Sequence, residues 1–285
     1  MVKLSYGTFH TFVEEELGRV EVPRGGQERR AGALEWADDV IKRARQNLSD
    51  VDDLYSEGSS SARDAAGQVT EITLELGSFL YAAGTDHPVW RRWIGLAALG
   101  IYLTVATPAR SLADLQTLYP LRDVHEAAQY AALGGEWRLL GALPLARPST
   151  LQDRVLGELA RLESEPSGRQ ESNSKARSGL GNTHDDEERA WLRLAVNIPT
   201  GDHQATEQAL KELADFWMGE GEDDWMRFHR GSYPDFEAPA CAVAAIARHH
   251  GFAPSSMTPE QRAFLEPGLA TPEPAPLYPK YFDLP

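Results

Sequence analysis

The chain has 285 residues, 42% of them apolar, and a formal net charge of −15 from 43 acidic and 28 basic side chains. That composition supports a substantial buried core and excludes a collagen-like or wholly disordered chain. A disulfide scaffold is excluded as well, because Cys241 is the only cysteine and one thiol closes no internal bridge. The charge argues against direct nucleic-acid binding, which relies on clustered lysines and arginines. Adjacent basic residues run no longer than pairs, such as Arg29-Arg30 and Arg91-Arg92. An acidic chain attracts a basic partner instead.

Along the chain, the start runs into Glu14-Glu15-Glu16 without an apolar stretch of export-signal length. Leu34, Ala37, Ile41, Ala44 and Leu48 then recur at helical spacing and predict one buried helix face. Val69, Ile72, Leu76, Phe79, Leu80 and Ala83 predict a second, with Gly84 as its C-terminal cap and His87-Pro88 opening the next. The most apolar window, 93–109, is shorter than the roughly twenty residues a membrane span needs and is broken by Pro108. It predicts a central helix packed on several sides.

Short helices are expected at 112–118, 124–133, 137–143 and 151–162, punctuated by Pro120, Gly134-Gly135, Pro144 and Pro148. Strand patterns are confined to Leu4-Ser5-Tyr6 and Arg19-Val20-Glu21-Val22, too short to found a sheet. The polar stretch 164–183 predicts a mobile loop, because it buries too little to offset its ordering entropy. Beyond it, Trp191, Leu194, Ala195 and Ile198 form one face and Ala205, Ala209, Leu210, Leu213 and Phe216 another. They predict a helical hairpin turning at Pro199-Thr200-Gly201-Asp202. A last helix is expected over 236–249 with Gly251 as cap, followed by a proline-rich tail laid extended over the helices.

The expected fold is therefore all-α: a compact multi-helix bundle with a long mobile loop and an extended proline-rich C-terminal tail. An N-terminal helical part, 1–163, and an acidic C-terminal part, 184–285, flank the loop and are expected to share one core. The C-terminal part has eighteen acidic and eight basic residues, and is the more acidic for its length.

Common catalytic signatures are missing: no nucleophile elbow, phosphate loop, paired-histidine zinc helix or dinucleotide fingerprint occurs. Cys241 lies in an apolar alanine-rich stretch and reads as a structural thiol. His184, Asp185 and Glu188 have metal-ligand spacing, but acids in a first helical turn also serve the helix dipole and N-cap. No metal, cofactor or catalytic residue is assigned. Two acidic runs stand out as docking candidates: Asp185, Asp186, Glu187 and Glu188, and Glu220, Glu222, Asp223 and Asp224, the second followed by Trp225. Carboxylates beside an aromatic anchor are what a basic protein surface binds.

Asp224-Trp225-Met226-Arg227-Phe228-His229 leads through Tyr233-Pro234-Asp235-Phe236-Glu237-Ala238 into an alanine-rich helix, and the chain closes on Leu277-Tyr278-Pro279-Lys280-Tyr281-Phe282-Asp283-Leu284. This C-terminal part resembles the PoNi-type all-α immunity proteins of polymorphic-toxin systems. The family's aromatic cluster is replaced here by Pro234-Asp235-Phe236, and the resemblance does not extend to 1–163. It implies a helical, non-enzymatic, cytoplasmic inhibitor that neutralises a cognate basic toxin, a nuclease effector, with no membrane contact. Two other readings use the same residues: a helical-repeat scaffold, suggested by the spacing across Ala195–Ala205, and a metal-dependent enzyme built on His184, Asp185 and Glu188.

Overall fold

The computed structural model describes residues 2–21, 28–29, 32–106, 124–143, 145, 148, 150–164, 185–220, 237–270, 276–277 and 282–283. The fold is all-α, apart from one short parallel ladder between β1 (Val2–Lys3) and β2 (Phe282–Asp283). The expected loop 164–183 and the expected helix 112–118 lie almost wholly outside the described residues.

Helix α1 spans Tyr6–Gly18. Alternation at Leu4-Ser5-Tyr6 suggested a strand, but Ser5 is an N-cap. Its hydroxyl accepts from the Thr8 amide at 3.3 Å while the Ser5 amide donates to Thr8 Oγ1 at 3.0 Å. Two donors with no partner inside the helix are thereby satisfied at once. Tyr6, Phe9, His10, Val13 and Leu17 face inward.

A 3₁₀ turn leads into α2 (Ala37–Ser56), whose buried residues Ala37, Val40, Ile41, Ala44, Leu48 and Val51 follow the spacing read from the sequence. Ser61 caps α3 (Ala62–Ala82), and Gly84 follows it at φ 79°, a conformation that disfavours residues bearing a Cβ. His87–Ala106 is α4, with Trp90, Ile94, Leu96, Ala97, Ala98 and Leu99 wholly buried. That all-round burial explains its continuous apolar sequence.

The second half adds α5 (Val124–Gly134), α6 (Trp137–Ala142), α7 (Leu151–Ser164), α8 (Asp186–Thr200), α9 (His203–Glu220), α10 (Ala238–His249) and α11 (Pro259–Leu269). Helix α4 packs between α3 and α5, α10 lies against α5, and α11 against α10. Helices α8 and α9 form the expected hairpin, with α7 beside α8. Pro199 was expected in the connection, yet the helix runs through it and stops at Gly201, φ 71°. Near this end the Thr200 hydroxyl donates to the Val196 carbonyl at 3.1 Å. Buried apolar side chains from Leu4 to Phe282 form one cluster spanning both sides of 165–184.

The proline-rich tail is tied into this cluster. The tail expected to lie extended over 267–285 instead begins inside α11, a helix started by a capping box between Thr258 and Gln261. Further on, Leu277 and Phe282 are buried, and the Phe282 ring meets Phe12 edge-on at 5.1 Å.

Candidate functional site

The acidic run at 185–188 starts a helix. Asp185 is the N-cap of α8, accepting from the Glu188 amide at 3.0 Å. Asp186 pairs with Arg189 at 2.7 Å. Glu187 Oε1 accepts from Gln152 Nε2 at 3.0 Å and from Trp191 Nε1 at 3.1 Å. Carboxylates in this turn also complement the helix dipole. Capping and local pairing thus account for much of this run. Of the second run, Glu220 is the last residue of α9, while Glu222, Asp223, Asp224 and Trp225 lie outside the described residues, as does His184. Most of the residues that carry the family resemblance lie outside as well. Among the described residues, no group of three or more His, Cys, Asp and Glu side chains is placed to hold a metal ion. Cys241 is fully buried, its Sγ is 3.5 Å from the Phe264 carbonyl, and burial pushes its thiol pKa up.

The cleft that draws attention lies elsewhere, between α1 and α2. It encloses about 550 Å³ and is lined by Tyr6, His10, Glu14, Arg45, Asp52 and Tyr55, among others. The Tyr6 and Tyr55 ring centroids are 4.4 Å apart at 54°, and the His10 ring lies 5.7 Å from that of Tyr6. His10 Nε2 sits 3.2 Å from the Leu48 carbonyl, which fixes that nitrogen as the protonated donor. Arg45 donates to the Leu17 carbonyl at 3.3 Å.

Tyr6 is only 4% exposed, and its hydroxyl has no hydrogen-bond partner among the described residues. A buried hydroxyl left this way costs about 1–3 kcal/mol, so its persistence calls for a reason. Burial raises the phenol pKa, and the nearby charge of Asp52 and then Tyr55 raise it further.

The end of α2 beside this cleft breaks a second local rule. Its last turns carry Asp50, Asp52 and Asp53, Glu57 is the C-cap, and the final turn has no basic residue. None of these four forms an ion pair among the described residues. Each carboxylate near a helix C-terminus opposes the dipole, by about 0.3–1 kcal/mol at exposed positions. Leu54 and Tyr55, in the same turn, are 42% and 38% exposed. Asp50 accepts from Gln46 Nε2 at 2.7 Å, but Asp52, Asp53 and Glu57, beside the exposed Leu54, oppose the dipole without an ion pair in return, which is the pattern expected of a functional surface. The succession Asp50, Asp52, Asp53, Glu57 without a following lysine or arginine was visible in the sequence, but reading the densest charge runs passed over it.

A further polar cluster joins the chain's two halves. Glu266 Oε1 accepts from Arg29 at 3.1 Å and lies 3.0 Å from His87 Nε2. Arg29 stacks over the Tyr81 ring at 4.7 Å and donates to the Tyr81 carbonyl at 3.0 Å. Trp90 Nε1 donates to His87 Nδ1 at 3.3 Å. Burial lowers the His87 pKa, Glu266 opposes that, and Arg29 and Arg91 reinforce it. These contacts clasp α11 onto α3 and α4 through Glu266 Oε1.

No family model, curated protein or solved structure matches the chain. The functional reading therefore rests on the residues themselves.

Proposed function

We propose that this chain is a binding protein, not an enzyme, and that it neutralises a basic toxin domain, a nuclease effector, in the cytoplasm of the cell that makes both. One observation carries the reading: the end of α2 displays Asp50, Asp52, Asp53 and Glu57 with exposed Leu54 and Tyr55, and none of the four carboxylates has an ion pair among the described residues. A nuclease needs positive charge to hold its substrate, and an acidic surface steers toward that charge and competes for it. The net charge of −15 favours the same partner at longer range. The resemblance of the C-terminal part to immunity proteins supplies the biological setting.

The test is co-expression with the reading frame immediately upstream. A modular protein whose short basic C-terminal domain is toxic alone, and harmless in a one-to-one complex with this chain, is the expected result. Toxicity unchanged by the chain, or turnover of a small molecule by the chain alone, overturns the proposal.

A further inference from the structure

The geometry points to the α1–α2 cleft as a receptor for one arginine side chain of the basic partner, its guanidinium seated between Asp52 and the Tyr6–Tyr55 pair. This rests on the reading above and sharpens it, from an acidic face to one anchoring pocket.

Each component matches that group. The cleft offers two carboxylates, Glu14 and Asp52, while the one arginine on its wall, Arg45, is engaged with the Leu17 carbonyl. Two tyrosine rings stand beside Asp52 in the wall. A planar guanidinium stacks on an aromatic face and donates to carboxylates with several N–H groups at once, which a compact ammonium does not. The Tyr6 hydroxyl, buried and without a partner among the described residues, is an acceptor that such a donor would satisfy. Its burial holds the Tyr6 ring in place before any ligand arrives.

The room is also built in. Gly7, an exposed cleft-lining residue of α1, has no atom within 4 Å of a Cβ placed on it, so a larger side chain enters at the cleft's edge without a clash. About 550 Å³ suits a long side chain and its flanking backbone.

The experiment uses argininamide as probe, followed by aromatic NMR shifts of the full chain, with lysinamide as control. Saturable shifts confined to Tyr6, His10 and Tyr55 are expected, with at least tenfold weaker binding for Asp52→Asn and for Gly7→Leu. The second variant crowds the cleft's edge and removes a helix glycine, so its melting temperature is expected to hold or rise. Lysinamide is expected to bind several-fold more weakly than argininamide. Shifts that grow linearly, spread over the acidic surface and persist in both variants overturn the site, as does equal binding of the two probes. If Gly7→Leu still binds the toxin domain with unchanged affinity, the arginine pocket is refuted while the acidic-face reading stands. If no basic domain binds the unaltered chain, that broader reading fails whatever argininamide does.

Discussion

Arg91 and Glu136 hold two points of the C-terminal part, the end of α11 and Leu277. Arg91 Nη1 donates to the Ala270 carbonyl at 3.0 Å, and Glu136 Oε1 accepts from the Leu277 amide at 2.5 Å. Both side chains are buried, 0% and 1% exposed, so each bond forms out of water's reach. Truncating either side chain leaves a buried backbone group without its partner, at a cost of about 1–3 kcal/mol. Arg91→Met and Glu136→Leu are each expected to lower the urea midpoint by that order. In Glu136→Leu, hydrogen exchange at the Leu277 amide is expected to speed up before global unfolding. Unchanged protection there would show that the tail is held by its apolar contacts alone.

Helices α4 and α5 meet backbone to backbone. A Cβ on Gly134 would lie 2.5 Å from Gly95 Cα and 2.7 Å from Gly95 N. Neither is the free end of a side chain, so a helix must shift. Gly134→Ala is expected to destabilise by about 1–3 kcal/mol through overpacking, despite alanine's better helix propensity. A thermal melt at or above the unaltered protein's would contradict this packing.

Glu207 ties α9 to the turn before α11. It accepts from the Ser255 amide at 2.7 Å, the Ser255 hydroxyl at 2.6 Å and the Ser256 amide at 2.6 Å. Burial alone would raise its pKa, but these hydrogen bonds outweigh it and bring the value from 4.5 to about 2. A depressed carboxylate stabilises the fold fully above its unfolded value and loses that contribution as pH falls through the folded one. Stability is therefore expected to decline from about pH 4.5 toward pH 2, and Glu207→Gln to flatten part of that decline. The variant should also lose about 1–3 kcal/mol at neutral pH. Urea unfolding across pH 2–6 for both proteins reads the difference.

The two acidic segments are expected to separate by experiment. Asp185→Ala removes an N-cap and should cost about 1 kcal/mol in stability, with no effect on the rate of toxin-domain association. Asp53→Asn removes an exposed charge that opposes the α2 dipole. It should leave stability equal or slightly higher while slowing association. Paired melting curves and stopped-flow traces measure both; the reverse pattern would move the docking face to α8.

Much of the fold was legible because helix periodicity and its punctuation are local signals. The buried face of α2, the glycine after α3 and the proline opening α4 follow from residues within a few positions of one another. Helix α1 was harder to read, since its capping partner is Thr8 where the common pattern has Glu or Gln. Glu136 looks like an ordinary residue before a short helix until the tail, far along the chain, closes on it. The cleft was not legible at all, because Tyr6 and Tyr55 meet only through the packing of α1 on α2. Charge density alone did not announce the structural role of Asp185, Asp186 and Glu187, which are engaged in starting α8.

The most direct measurement is the association rate of the basic toxin domain, followed from low to moderate salt, for the unaltered chain and for one variant. That variant carries Asp50→Asn, Asp52→Asn, Asp53→Asn and Glu57→Gln together. Steering by this face predicts a rate at least tenfold lower at low salt and a shallower salt dependence, with stability unimpaired. Superimposable salt profiles for the two proteins would contradict the account.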